Sequence, residues 1–357
     1  MSIESQGLLK ILNGHFNWNK SRMSCFVGML LALIQVRSVN LAELSCGFGS
    51  KAKKESSYKR MQRFFRHFSI DLSEVAKWVL NVFGLEQAVW LSMDRTNWCW
   101  GKSNINILML SVVYKGIALP VFWSLLDKRG NSNTQERIDL VVQCIQTFGK
   151  SRIAGLLADR EFIGTEWFDA LKRQNIGFCI RLKKSTQATN AQGQPINITR
   201  LFRGLKIKEQ RVLNQARIVW GHPVYLSALR LEDGELLIVA CDSKLSDPIG
   251  HYGKRWEIET LFGCLKSRGF NFEDTHMVNP ERIGKLLVLL TVAFVWAHRV
   301  GQWKHEDKPI PLKNHGRKAM SWFRYGLDVL REFLLNPIKK PTIKSWNALL
   351  RLLLSKL

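Results

Sequence analysis

Acidic residues are scarce. The 357-residue chain has 29 Asp and Glu against 53 Lys and Arg, a formal charge of +24 with a pI near 10.0. That excess is far beyond what solubility asks for and points to a polyanionic partner, nucleic acid ahead of an anionic membrane surface. Cysteine is sparse and unpatterned: seven residues, an odd number, with no Cys-x-x-Cys pair and no histidine at ligand spacing. This argues against a disulfide framework and a zinc site, and fits a reducing cytoplasm. Long apolar runs are missing too. The most apolar stretch, Leu286 to Ala297, falls short of the roughly 20 residues a membrane span requires and reads as a buried helix, so no membrane partner is expected. No signal peptide, internal repeat or low-complexity segment is visible. What is present, 46% hydrophobic residues over this length, is enough for a substantial core and two or three domains.

Taken in order, residues 1–85 read as helical, with Met23, Phe26, Val27, Leu30, Leu31 and Ile34 on one apolar face and Ser38 or Asn40 as cap of a short second helix. A basic segment follows, in which Lys51, Lys53, Lys54, Lys59, Arg60, Arg63 and Arg66 alternate with Tyr58, Phe64, Phe65 and Phe68, and Ser57 is the expected cap. Basic residues interleaved with aromatics suggest a small DNA-binding domain of helix-turn-helix type, with Lys59, Arg60 and Arg63 as candidate contacts. From Ala88 the pattern becomes strand-like. Ala88 to Met93, Ile105 to Tyr114 and Ile117 to Leu126 read as three strands, followed by a helix over 133–148, a strand over Ile153 to Ala158, a helix over 167–174 and a strand over 176–182. Ser132 or Asn133 caps the first of these helices, with Gln135 or Glu136 closing a capping box. This order predicts an α/β mixed sheet with helices on its faces over residues 86–183. Residues 184–247 read as a β-rich insertion, 248–300 as a second, helical part of the core, and 301–357 as a basic helical C-terminal region entered through a linker over 304–318.

Two carboxylates stand out because each closes an apolar strand: Asp94 after Leu-Ser-Met, and Asp159 after Leu-Ala. Carboxylates at strand ends lie on a sheet rim, exposed but rigidly held. Either alone is more often a local cap than a catalyst. The stretch Tyr252 to Lys266 contains no proline and reads as a helix. At about 100° per residue, Arg255, Glu259 and Lys266 fall within about 60° of Tyr252. Glu257 falls on the opposite side, to be solvated or paired elsewhere. A carboxylate among a guanidinium, an ammonium and a phenol suits a site holding a metal ion and a phosphate together. With Asp94 and Asp159 it supplies three hard oxygen ligands, enough for a pair of divalent cations about 4 Å apart. The bland alternative is a surface ion-pair ladder.

The spacing Tyr252-x2-Arg255-x3-Glu259-x6-Lys266 resembles the signature of insertion-sequence family four, bacterial cut-and-paste transposases with a DDE site. Asp159-Arg160-Glu161-Phe162 is similar to the second-aspartate motif of that family, and Asp94 matches its first. The resemblance covers roughly residues 88–335. It implies a ribonuclease H-like core interrupted by a β insertion, with Asp94, Asp159 and Glu259 as catalytic metal ligands for two Mg²⁺ ions, Mn²⁺ substituting. Tyr252, Arg255 and Lys266 would hold phosphates of the transposon end. It further implies terminal-repeat recognition, nicking, a hairpin at the excised end, joining to target DNA, a homodimer in the synaptic complex, and a bacterial cytoplasm with the protein on the nucleoid. One departure concerns the aromatic on which relatives stack a flipped base: Glu235 and Leu236 stand where a tryptophan is sought, and Trp220 is the nearest insertion tryptophan. Trp98 and Trp100 are assigned to packing, Glu161, Asp127 and Asp242 to local capping or solvated faces, and His298 to a core hydrogen bond. Two other classes remain open: a catalytically inactive DNA-binding regulator, which divalent-metal-dependent cleavage would exclude, and another ribonuclease H-like nuclease, which joining of a cut end would exclude.

Overall fold

The computed structural model describes residues 3–49, 52–314, 316–336 and 343–354; Lys51 of the basic segment lies outside them. The chain forms two compact units, one of Met1–Glu86, Asn97–Asn106 and Leu261–Leu357, the other of Gln87–Thr96 and Ile107–Thr260. The first is mainly helical. It begins with α1 (Ile3–Asn13), α2 (Lys20–Val36), α3 (Leu41–Cys46), α4 (Lys54–His67) and α5 (Leu72–Val82). Asn19 caps α2 by accepting the Arg22 N–H, and all six apolar residues expected on its inner face are buried. Asn40, rather than Ser38, caps α3. The expected cap of the basic helix is corrected: α4 starts one turn earlier, after Lys53, and Ser57 is buried within it. The aromatics of α4 serve the core, since Phe64 and Phe65 are buried and Phe64 meets Phe26. Its basic residues divide. Lys59, Arg63 and Arg66 are exposed, whereas half-buried Arg60 donates to the Ser21 carbonyl at 3.2 Å and lies over the Phe48 ring.

The second unit is built on a sheet of β1 (Val89–Trp100), β2 (Ser103–Tyr114), β3 (Ile117–Leu125), β4 (Ile153–Ala158) and β5 (Phe178–Arg181), with α6 (Thr134–Phe148) between β3 and β4 and α7 (Thr165–Arg173) between β4 and β5. A complete capping box between Asn133 and Glu136 starts α6. The strands β6 (Gln187–Thr189) and β7 (Pro195–Asn197) form a ribbon of their own. The strands β8 (Gln210–Val212), β9 (Arg217–Val219), β10 (His222–Arg230) and β11 (Leu236–Cys241) complete the set. The strand order is β3-β2-β1-β4-β5-β11-β10-β8, with β9 on β10. β1, β4 and β5 run parallel and β11 antiparallel to β5. This is a mixed sheet with flanking helices, as the order of elements in the sequence predicts. The residues expected as a β-rich insertion do form strands, and they extend the sheet through β11. All six residues of β11 are buried, as an internal strand covered on both faces requires.

Three further differences bear on the site. Asp94 does not end a strand, because β1 continues to Trp100, but the β1–β4 pairing does end at Met93↔Ala158. Asp94 and Asp159 therefore stand side by side one step beyond the last paired row. The stretch expected as one helix is two: α8 (Pro248–Gly253), capped by Asp247 with Pro248 in its first turn, and α9 (Trp256–Leu265), with a turn at Lys254–Arg255 whose bonds close over three residues (Lys254 to His251, Arg255 to Tyr252). The chain passes from the sheet unit to the helical unit within α9, at Thr260.

The helical unit is completed by α10 (Pro280–Asp307), α11 (Trp322–Leu335) and α12 (Ile343–Arg351). α10 is long and apolar enough to cross a membrane, yet 83% of its most apolar window is buried in the protein, so it serves as a core helix. It crosses α11 at backbone contact: a Cβ on Gly301 would overlap the Trp322 carbonyl, and one on Gly326 the Ala297 carbonyl. α2 packs on α10 and α11, and α1 on α12. The compact units thus differ from the expected segments 1–85, 248–300 and 301–357, because N- and C-terminal helices share one core. The linker lies later than expected, since α10 runs to Asp307 and α11 begins at Trp322.

Candidate active site

The sheet places two carboxylates and the α8–α9 corner brings the rest. Tyr252, at the end of α8, is 2% exposed, and Arg255, in the turn, is also 2% exposed. The three nitrogens of the Arg255 side chain are all engaged. Nε donates to the Tyr252 hydroxyl at 3.1 Å, Nη1 to Asp94 Oδ2 at 3.1 Å and Nη2 to Glu259 Oε1 at 2.7 Å. The Tyr252 hydroxyl in turn donates to Asp159 Oδ1 at 3.1 Å. One guanidinium therefore ties together all three acids, two directly and the third through a phenol. The spacing explains this even though the helix is broken: Tyr252 and Arg255 are three apart, Arg255 and Glu259 four apart, and both separations bring side chains to one side of a helical turn.

Burial and pairing compete over each charge. Desolvation raises the Asp94 carboxyl to about 6, against the Arg95 N–H at 2.7 Å and the Arg255 charge, which lower it. Burial also pushes the Tyr252 phenol up, so it stays protonated and able to donate. For Arg255, burial works against the charge, but Tyr252, Glu259 and Asp94 outweigh it and hold the guanidinium more firmly protonated. Around this centre, Arg181 lies 3.9 Å from Asp159 and donates to Glu235 at 3.0 Å. Arg95 grips Glu161 through Nε and Nη2, both at 3.2 Å. Arg95 and Arg181 escaped the sequence reading. Only the register could have flagged Arg181, which follows Ile180, the partner of Ala158, and so stands beside Asp159.

Other expected residues have partners of their own. Lys266 belongs to the helical unit, where it pairs with Glu273 at 2.6 Å and lies over the Trp98 ring. Of the two alternatives for Glu257, the structure shows pairing elsewhere. It accepts the Tyr114 N–H at 2.7 Å and the Gly116 N–H at 2.9 Å, closing the β2–β3 turn, in which Lys115 and Gly116 both have positive φ. Glu161 is a salt-bridge partner, and Asp242 caps the Phe178 N–H. Trp220 packs edge-on to Phe168, Trp98 on Phe272, and Trp100 stacks on His276. His298 is buried and kept neutral, its pKa lowered to about 3 by burial.

Residues 55–296 match the family described as the transposase DDE domain. The chain belongs to that family. Its members are generally catalysts of DNA cleavage and strand transfer and generally use divalent metals. Insertion-sequence family four in particular is not distinguished by this match. No curated protein matches the chain. Among solved structures it is similar to a cryo-EM structure of the piggyBac transposase synaptic complex with hairpin DNA, at 13% identity and a TM-score of 0.46, over 93% of this chain and 75% of that one. It is also similar to the crystal structure of endonuclease V from Bacillus subtilis, at 11% identity and a TM-score of 0.24, over 68% and 94%. Neither similarity is close enough to assign a residue.

For this transposase domain the donor chemistry fits a hard divalent ion, since Asp94, Asp159 and Glu259 offer only carboxylate oxygens. The present geometry is not yet that of a metal centre. Among the described residues no three His, Cys, Asp or Glu side chains converge closely enough to hold an ion.

Proposed function

We propose that this protein is an insertion-sequence DNA transposase of the cut-and-paste type, of family four. It binds the terminal repeats of its element as a homodimer, cleaves the ends through a hairpin and joins them to target DNA. The observation that carries the reading is the single guanidinium of Arg255 bonded to Asp94 and Glu259, and linked to Asp159 through Tyr252. It gathers two sheet carboxylates and a helical one in a strongly basic chain. Asp94, Asp159 and Glu259 would hold Mg²⁺ or Mn²⁺, which supplies activation of a water or 3′ hydroxyl and charge neutralisation at the scissile phosphate.

The residues themselves have separable tasks. Asp94 and Asp159 are held at fixed spacing by adjacent parallel strands, while Glu259 rides on α9. Tyr252 orients Asp159 through its hydroxyl proton. Arg255 presents a planar fork matched to phosphate oxygens as well as to carboxylates. Exposed Lys59 and Arg63 on α4 would meet the DNA backbone outside the site, and Lys266 would do so only after leaving Glu273. The test is cleavage of end DNA in Mg²⁺ by full-length Asp94→Ala, Asp159→Ala and Glu259→Ala. Each is expected to lose strand cleavage while still shifting end DNA in a gel. Wild-type cleavage by any one of them removes that residue from the triad.

A further inference from the structure

Arg255 is a cation already in place among acids that would hold a metal. Its fork takes one oxygen of each of two of those acids, Asp94 Oδ2 and Glu259 Oε1, so a divalent ion approaching them would meet a cation already bonded to both. The guanidinium is buried and bonded on every edge, so its desolvation is offset only while those partners remain. The acids depend on it equally. Carboxylates held close together repel one another unless a cation stands with them.

We propose that Arg255 is the resident counter-cation of the candidate active site, competing with the divalent metal and released by DNA phosphate. This rests on the metal-binding reading above. A metal that binds only when Arg255 lets go shows an affinity reduced by the fraction of protein in which the arginine is released. The turn at Lys254–Arg255 interrupts the helical ladder, so Arg255 is not fixed within a continuous α-helix. The ligand that matches a displaced guanidinium best is a phosphate, bound through the same fork geometry. DNA backbone and metal then raise each other's affinity, because each favours the state in which the carboxylates are free of the arginine. Off DNA, the hydrolytic centre stays locked by its own side chain.

The experiment is a Mn²⁺ titration of the full chain without DNA, followed by calorimetry or by the electron paramagnetic resonance of free Mn²⁺, so that activity is not the readout. Arg255→Met is expected to bind Mn²⁺ on the order of tenfold more tightly than wild type, the equivalent of one lost charge-assisted hydrogen bond. Arg255→Lys, which keeps the charge but cannot bridge two carboxylates, is expected to fall between them, and it carries the test if the methionine variant does not fold. Thermal melts of the same proteins are expected to show a larger Mn²⁺-induced rise for Arg255→Met than for wild type. Equal or weaker Mn²⁺ binding by both Arg255 variants, with binding lost in Asp94→Asn and Glu259→Gln, overturns the counter-cation role and leaves the metal site standing. Unchanged Mn²⁺ binding in those two acid variants overturns the metal site and the inference with it.

Discussion

Arg255 and Arg63 carry the same guanidinium in opposite surroundings. Arg255 is buried, with each of its nitrogens bonded to a carboxylate or a phenol, whereas Arg63 projects from the exposed face of α4. The buried fork is held in one geometry and acts through short charge-assisted bonds, so its surroundings decide protonation, metal affinity and stability together. The exposed one is solvated and screened beyond about 8 Å at physiological salt, so it influences DNA affinity and leaves the fold nearly untouched. Electrostatics in this protein therefore has two registers, a rigid one at the sheet and a diffuse one on the basic helix.

The largest effect expected from breaking that contrast is at Asp94. Its carboxyl titrates at about 6 in the fold, above its ordinary 3.8, because burial disfavours the charge. Between those values the native state holds a proton that the unfolded state has released, so this group makes stability fall as pH rises through the window. Asp94→Asn is expected to remove that slope, a change of up to about 3 kcal/mol across the window, at a pH-independent cost from the weakened bond to Arg255. Denaturant melts of both proteins across the window measure it, and parallel pH profiles would refute the buried-charge account.

Next in size is Glu257, a buried-side acid with no part in the Arg255 network. Glu257→Ala leaves the Tyr114 and Gly116 N–H groups without their acceptor and is expected to cost about 1–3 kcal/mol. Metal-dependent cleavage by the folded variant should persist. Loss of cleavage without loss of stability would place Glu257 in the chemistry.

Smaller still is the effect at α4, where neighbouring arginines split by role. Arg60→Ala is expected to lower stability by about 1 kcal/mol through its lost bond to the Ser21 carbonyl, with the salt dependence of DNA binding unchanged. Lys59→Ala and Arg63→Ala are expected to do the reverse. Stability should move by less than about 0.5 kcal/mol, and the slope of log affinity against log salt should fall by roughly 0.9 per lost phosphate contact. Identical salt slopes for all three variants would erase the distinction between anchored and free basic residues.

Much of this was legible in one dimension. Apolar runs ending before Asp94 and Asp159, the helical repeats between them and the spacing of Tyr252, Arg255 and Glu259 are local patterns, and local patterns report strands, helices and side chains one turn apart. Excess positive charge is likewise a property of composition alone. What only the tertiary structure decided depends on partners distant in sequence. Pairing of β1 with β4 set the two aspartates side by side, and β11 of the β-rich insertion joined the sheet at β5. Glu257 found two backbone donors far earlier in the chain. A turn at Lys254–Arg255 divided the stretch expected as one helix into two. No residue type in that turn forbids a helix, and Arg255 within it bonds Asp94, a partner distant in sequence that only the folded sheet presents.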